Sequence, residues 1–125
     1  MVTQPEQVEK LSVPTFLFVC LDGQGNAGLR RDHLEGHLLH IEHNNQHYRV
    51  AGPIRKDADT LIGSFFLVAA ETEEIARGIL DGDPYMASNL YATVECHQIV
   101  PACGAWMGGV IWDRDDVMAS IDKHV

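Results

Sequence analysis

The sequence is short of basic residues: nine Lys and Arg stand against 18 Asp and Glu, a formal net charge of −9. Binding a phosphate backbone needs clustered cations, so nucleic acid is excluded as a partner, and so is an anionic membrane surface. Cysteine is scarce as well. Cys20, Cys96 and Cys103 make an odd set without CxxC spacing, which excludes a disulfide framework and a zinc knuckle. They predict buried free thiols in a reducing cytosol. The longest apolar run, Phe65–Ala70, is far below the ~20 residues that cross a bilayer. The polar, acidic stretch Met1–Val13 has no signal-peptide character, so a soluble, cytoplasmic protein is expected. There is no Walker A loop, and Gly23-Gln24-Gly25 lacks the third glycine of a dinucleotide fingerprint. No cofactor is expected.

With 125 residues, 46% of them hydrophobic, the chain has the size of one domain with a core of its own. Thr15–Leu21 is apolar and β-rich and stops at Asp22-Gly23, which predicts a buried strand. Gln24-Gly25-Asn26 makes a turn, with Asn26 placed to cap one helix from Ala27 to about Asn44. Leu34, Leu38 and Ile41 recur on one face of that helix. Tyr48–Ala51 is a short strand closed by Gly52-Pro53, and Leu61–Ala70 a third strand. Thr72 caps a helix through Ile75, Ala76, Ile79 and Leu80, which Gly82 ends, and Pro84 opens a short turn or helix. Leu90–Val100 alternates as a fourth strand, and Pro101–Trp112 is Gly-rich and apolar, suited to an extra strand or an interface cover. Residues 1–13 read as a loose or weakly helical arm, 14–101 as the domain, and 102–125 as a C-terminal extension.

The order β-α-β-β-α-β is the split βαβ arrangement of a ferredoxin-like α+β domain with an antiparallel sheet. Two helices cover one face of such a sheet. A second copy of the chain is the economical cover for the other face, which predicts a homodimer or higher homo-oligomer built as a dimeric α/β barrel.

Five histidines, His33, His37, His40, His43 and His47, follow one another closely. At ~100° per residue they share an arc of ~120° beside the Leu34-Leu38-Ile41 stripe. Three readings are open: a solvated face that happens to use His, a metal pair at His33 and His37, or one functional histidine among bystanders. The four-residue spacing suits a metal, but no Glu completes a HExxH pattern and no third ligand stands out. Asp83, directly before Pro84, is pushed out of helical dihedrals and suits an N-cap. The same carboxylate, bonded to an imidazole, would fix its tautomer and make a general base. Arg30 and Arg31 form the one adjacent arginine pair, either a fork for an anionic substrate group or an ion pair with a nearby acid. Gly63-Ser64 is read as shaping a strand end. Ser64 has no Ser-His-Asp company in sequence, and nothing near Cys103 would lower its pKa.

Taken in order, these segments resemble the YciI-like (YCII-related) family. The resemblance rests on Arg30 ahead of His37-Leu38-Leu39-His40-Ile41, on Ala51-Gly52-Pro53, on Gly63-Ser64-Phe65-Phe66-Leu67-Val68, on Asp83-Pro84-Tyr85 and on a strand from Leu90. It covers about residues 14–101. It implies a ferredoxin-like dimeric barrel with a His–Asp pair in a cleft, and by motif His37 is the histidine and Asp83 the aspartate. His33-Leu34 is a rival, but the spacing to Ala51-Gly52-Pro53 and the position of Arg30 favour His37. The position after His-Leu that usually holds an aromatic is here His40, which makes the cleft more polar if it faces inward. The resemblance thus implies a small isomerase or lyase acting on a small aromatic or enol-like molecule. His37 would be the general acid/base and Asp83 its orienting partner, with Arg30, His40, Ser64 and Tyr85 as substrate-binding candidates and no metal. The alternatives are a non-catalytic small-ligand-binding dimer and a metal-binding protein using the His33–His47 stripe.

Overall fold

Alternation along β1 (Thr15–Asp22) sends Phe16, Phe18 and Cys20 to one face of a sheet, where all three are buried. This computed structural model describes residues 4–121. Phe66 and Val68 of β3 (Thr60–Ala69) lie directly opposite Phe18 and Phe16 across the antiparallel ladder, so their side chains fall on the same face. Helix α3 (Glu73–Asp81) closes over them with Ala76 and Leu80. Full burial of side chains such as Phe18 and Phe66 stabilises the fold by about 1.5–3 kcal/mol each. The sheet is four-stranded and antiparallel, in the order β2-β3-β1-β4, with β2 at Tyr48–Asp57 and β4 at Tyr91–Ile99. The result is the ferredoxin-like α+β arrangement.

The face away from the helices carries Leu17, Val19, Phe65 and Leu67, each partly exposed. Gly63 lies within β3 rather than at its end, opposite Leu21. A Cβ there would meet the Cys20 carbonyl oxygen at 2.3 Å, so β1 and β3 approach closely because the position has no side chain. The Gly63→Ala variant is expected to be destabilised by about 1–3 kcal/mol through overpacking against backbone, read as a lowered thermal midpoint. An unchanged midpoint would show that the strands yield freely.

Several local expectations are corrected. The predicted helix 27–44 is two helices, α1 (Ala27–Asp32) and α2 (Leu34–His43), with His33 between them at φ −109° and ψ 8°. At the break the Arg30 carbonyl accepts a hydrogen bond from the Tyr85 hydroxyl at 3.1 Å, so a tertiary contact serves a carbonyl at the junction. Asn26 does not cap α1; its amide instead donates to the carbonyls of Asn89 and Leu90. The second strand does not close at Gly52-Pro53. It runs on to Asp57, because β2 is an edge strand with one partner and tolerates a proline. Thr72 caps α3 by accepting from the Ile75 N–H at 3.2 Å.

The chain divides into two compact units, residues 13–99 and a second made by residues 1–12 with 100–125. In the second, β5 (Cys103–Gly104) and β6 (Gly109–Val110) form a small hairpin within the stretch suited to an extra strand, and an unexpected helix α5 (Arg114–Ala119) follows. The described part of the arm is not helical. It runs beside Val110, with Val8 N–H donating to the Val110 carbonyl at 2.7 Å and Val110 N–H to that of Glu6 at 2.9 Å. Among the described residues no helix is long and apolar enough to cross a membrane.

Candidate active site

Asp83 follows the end of α3 and is held extended (φ −77°, ψ 126°) ahead of Pro84, which opens α4 (Pro84–Ala87). Its side chain is fully buried. One carboxylate oxygen, Oδ1, accepts the Tyr85 backbone N–H at 2.9 Å, so Asp83 caps α4. The other, Oδ2, lies 2.7 Å from Nδ1 of His37, which α2 presents from the opposite side. An acceptor-only carboxylate places the imidazole proton on Nδ1 and leaves the Nε2 lone pair free. Nε2 has no hydrogen-bond partner among the described residues. The ring is held flat against Tyr85, with centroids 4.1 Å apart and planes 8° from parallel, and edge-on to Phe66. Position, tautomer and ring plane are thus all set by neighbours.

His37 borders a cleft of about 670 Å³. Its walls are largely apolar, from Leu34, Leu38 and Ile41 on one side to Pro53, Leu61 and Phe66 on the other. Of the Leu34-Leu38-Ile41 stripe, Leu34 and Leu38 are about half exposed and line the cleft, while Ile41 borders it and packs against the core. Arg30, Ser64 and Tyr85 also border it. The Arg30 guanidinium is forked onto Asp22, Nε to Oδ2 at 2.5 Å and Nη2 to Oδ1 at 2.9 Å, and Nη2 also donates to Ser64 Oγ at 3.1 Å. Burial works against its charge, but the Asp22 hydrogen bonds and attraction prevail and hold its pKa above the usual value. Arg31 borders the cleft too.

His40, one turn beyond His37, is buried rather than in the cleft lining. Asn44 Nδ2 approaches its Nδ1 at 3.3 Å, and its Nε2 lies 2.6 Å from the Tyr48 hydroxyl. With Asn44 donating to Nδ1, the ring proton sits on Nε2 and points at the Tyr48 oxygen. Burial lowers the His40 pKa; nearby Asp83 opposes the shift and His37 adds to it. A folded-state pKa below the unfolded value of about 6.5 means stability is full above that pH and is lost as the pH falls through the folded pKa. The melting temperature is expected to drop between neutral and mildly acid pH. The double variant His40→Phe/Tyr48→Phe removes both partners and should flatten that slope; an undiminished slope would assign the acid sensitivity elsewhere.

Of the remaining histidines, His43 is exposed and His33 and His47 are half-buried. Among the described residues no three His, Cys, Asp or Glu side chains gather as metal ligands would.

The family model for the YCII-related domain matches residues 15–100. The chain belongs to the YCII-related family. A solved structure of similar fold is 5-chloro-2-hydroxyhydroquinone dehydrochlorinase (TftG) from Burkholderia phenoliruptrix AC1100, in complex with 2,5-dihydroxybenzoquinone. It superposes with a TM-score of 0.63 at 24% identity, over 73% of this chain and 96% of that one. No curated protein matches the sequence.

Within this YCII-related fold, sequence reasoning missed Asp22 and Tyr91. In the sequence Asp22 stands as a strand stop, and an acid ending an apolar strand eight residues before Arg30 is the usable signal for the pair. Tyr91, the first residue of β4, donates its hydroxyl proton to Ser64 Oγ at 2.9 Å, and nothing local foretells a bond between residues 27 positions apart. Of the three thiols, expected to be buried, two depart from that expectation. Cys20 is buried, and desolvation pushes its pKa up to about 12; Cys96 is half-buried, raised chiefly by desolvation to about 11; Cys103 is exposed.

Proposed function

We propose that this YCII-related chain is an enzyme of proton-transfer chemistry, an isomerase or lyase acting on a small aromatic or enol-like metabolite. His37 is its general acid/base and Asp83 the residue that orients it. The observation that carries the reading is the 2.7 Å bond from Nδ1 to a fully buried carboxylate, on a ring that borders the cleft. Nε2 takes a proton from a substrate hydroxyl or activated C–H, and the imidazolium so formed rests against Asp83. Returning the proton to another ring position isomerises the substrate. Expulsion of a leaving group by the electron pair left behind eliminates it. The dehydrochlorination named for the structurally similar protein is of the second kind, on a chlorinated hydroxyhydroquinone. A non-catalytic ligand-binding dimer would have no need of an imidazole locked in one tautomer.

The functional unit in this reading is residues 14–101, with residues 1–13 and 102–125 as additions. Three free thiols suit a reducing compartment such as the cytoplasm. The face bearing Leu17, Val19, Phe65 and Leu67 suits a homodimer, because apolar residues on an uncovered sheet face gain by burial against a second copy. Val19→Glu is expected to convert the dimer to single chains in sedimentation, and a wild-type protein that sediments as a monomer would end the barrel reading. The function is tested by screening hydroxylated and chlorinated aromatics for turnover by spectral change and chloride release, with His37→Ala alongside.

A further inference from the structure

Ser64, near the middle of β3, is 4% exposed and borders the cleft. Its oxygen accepts two hydrogen bonds, from Arg30 Nη2 at 3.1 Å and from the Tyr91 hydroxyl at 2.9 Å. A hydroxyl oxygen has two lone pairs, so both are engaged, and the Ser64 proton has no acceptor among the described residues. Burial raises the Tyr91 pKa, so the phenol stays protonated and able to donate. Arg30 is meanwhile forked onto Asp22. The paired N–H groups that would clamp a carboxylate or phosphate are therefore occupied within the protein. Arg30 keeps only Nη1 for a ligand, Arg31 stands at the cleft border, and beside them the Ser64 O–H, polarised by the adjacent guanidinium, lies on a mainly apolar wall.

We propose that Ser64 is the specificity donor of this cleft. Its hydroxyl binds a carbonyl-type oxygen conjugated to a planar ring, and an acidic hydroxyl on the same ring faces Nε2 of His37. The site is therefore expected to prefer hydroxyquinone-like or hydroxyenone-like ligands to carboxylates and phosphates, for which Arg30 has no complete fork to offer. Arg30 and Tyr91 act as positioning residues, because they hold the Ser64 oxygen from two sides and leave its proton for a ligand in the cleft. The placing of the acidic hydroxyl rests on the acid/base reading of His37; the selection at Ser64 does not.

The test is binding of 2,5-dihydroxybenzoquinone to the full chain, followed by calorimetry beside 1,2,4,5-tetrahydroxybenzene under nitrogen. The two probes share a carbon skeleton; the quinone keeps its carbonyls and is ionised near neutral pH, so the reading is the effect of Ser64→Ala on each probe and not the two affinities side by side. Ser64→Ala is expected to weaken the quinone roughly ten-fold or more and to leave the tetrol nearly unchanged. Tyr91→Phe should lower the quinone affinity by a smaller factor, and Ser64→Thr, which keeps a hydroxyl, should restore the preference. Equal weakening of both probes in Ser64→Ala would mark a structural role and overturn the proposal. So would wild-type protein that binds benzoate or inorganic phosphate more tightly than the quinone, an outcome that needs no variant to fold. Turnover in His37→Ala judges the catalytic reading separately, since it is read on a different variant and a different quantity.

Discussion

The His37→Ala variant loses turnover by about 10²–10⁴-fold, the range that one well-placed general acid/base contributes. The rest of the rate must come from confinement in the cleft, which the variant keeps. Its fold survives because the side chain lies at the cleft border, 17% exposed, outside the Phe18-Phe66-Leu80 core. The cost falls on Asp83, whose Oδ2 loses its partner in a fully buried position, worth about 1–3 kcal/mol. His37→Gln is the companion variant: its amide can still donate toward Asp83, yet it has no basic nitrogen. Loss of turnover in both variants, with circular dichroism unchanged, assigns the chemistry to the imidazole. Full activity in either one rejects the assignment.

Asp83→Asn separates orientation from packing. The amide oxygen can still accept the Tyr85 N–H, so the cap on α4 is retained. The amide nitrogen, however, donates toward Nδ1 where the carboxylate accepted. The imidazole then carries its proton on Nε2 and faces the cleft as a donor, with no lone pair to take a proton. Turnover is expected to fall by about 10²–10⁴-fold, close to the His37→Ala loss, with little change in melting temperature, since a wrongly protonated base is nearly as poor as none. Nitrogen-15 NMR of the histidine ring reads the tautomer directly. A variant with the proton still on Nδ1, or with wild-type turnover, would show that Asp83 serves only as a helix cap.

The strands were legible because each has a local signature. Thr15–Leu21 and Leu61–Ala70 are apolar and β-rich between turn residues, and both appear within a residue or two of their expected limits. Thr72 could be read as a cap because capping depends on residues three apart. The break at His33 could not, since a hydroxyl from Tyr85, 55 positions beyond Arg30, meets the carbonyl at the junction. Asn26 failed as a cap for a similar reason: its amide is taken by carbonyls more than sixty residues away. The histidine stripe shows the same limit. Helical periodicity placed His37 and His40 on neighbouring positions of one arc, but only packing made one a cleft residue and the other a buried partner of Tyr48.

The sequence alone determined the element order, the antiparallel α+β class, the acidic character and, through Asp83-Pro84-Tyr85 and His37-Leu38, the family to which the chain belongs. Those properties follow from composition, local periodicity and motif order, all of which are written along the chain. The tertiary structure alone decided that Asp22 engages Arg30, that Tyr91 and Arg30 saturate Ser64, and that Leu34 and Leu38 line a cleft. Hydrogen-bond valence and burial depend on which distant strands and helices are brought together. No local pattern encodes that until the sheet has closed.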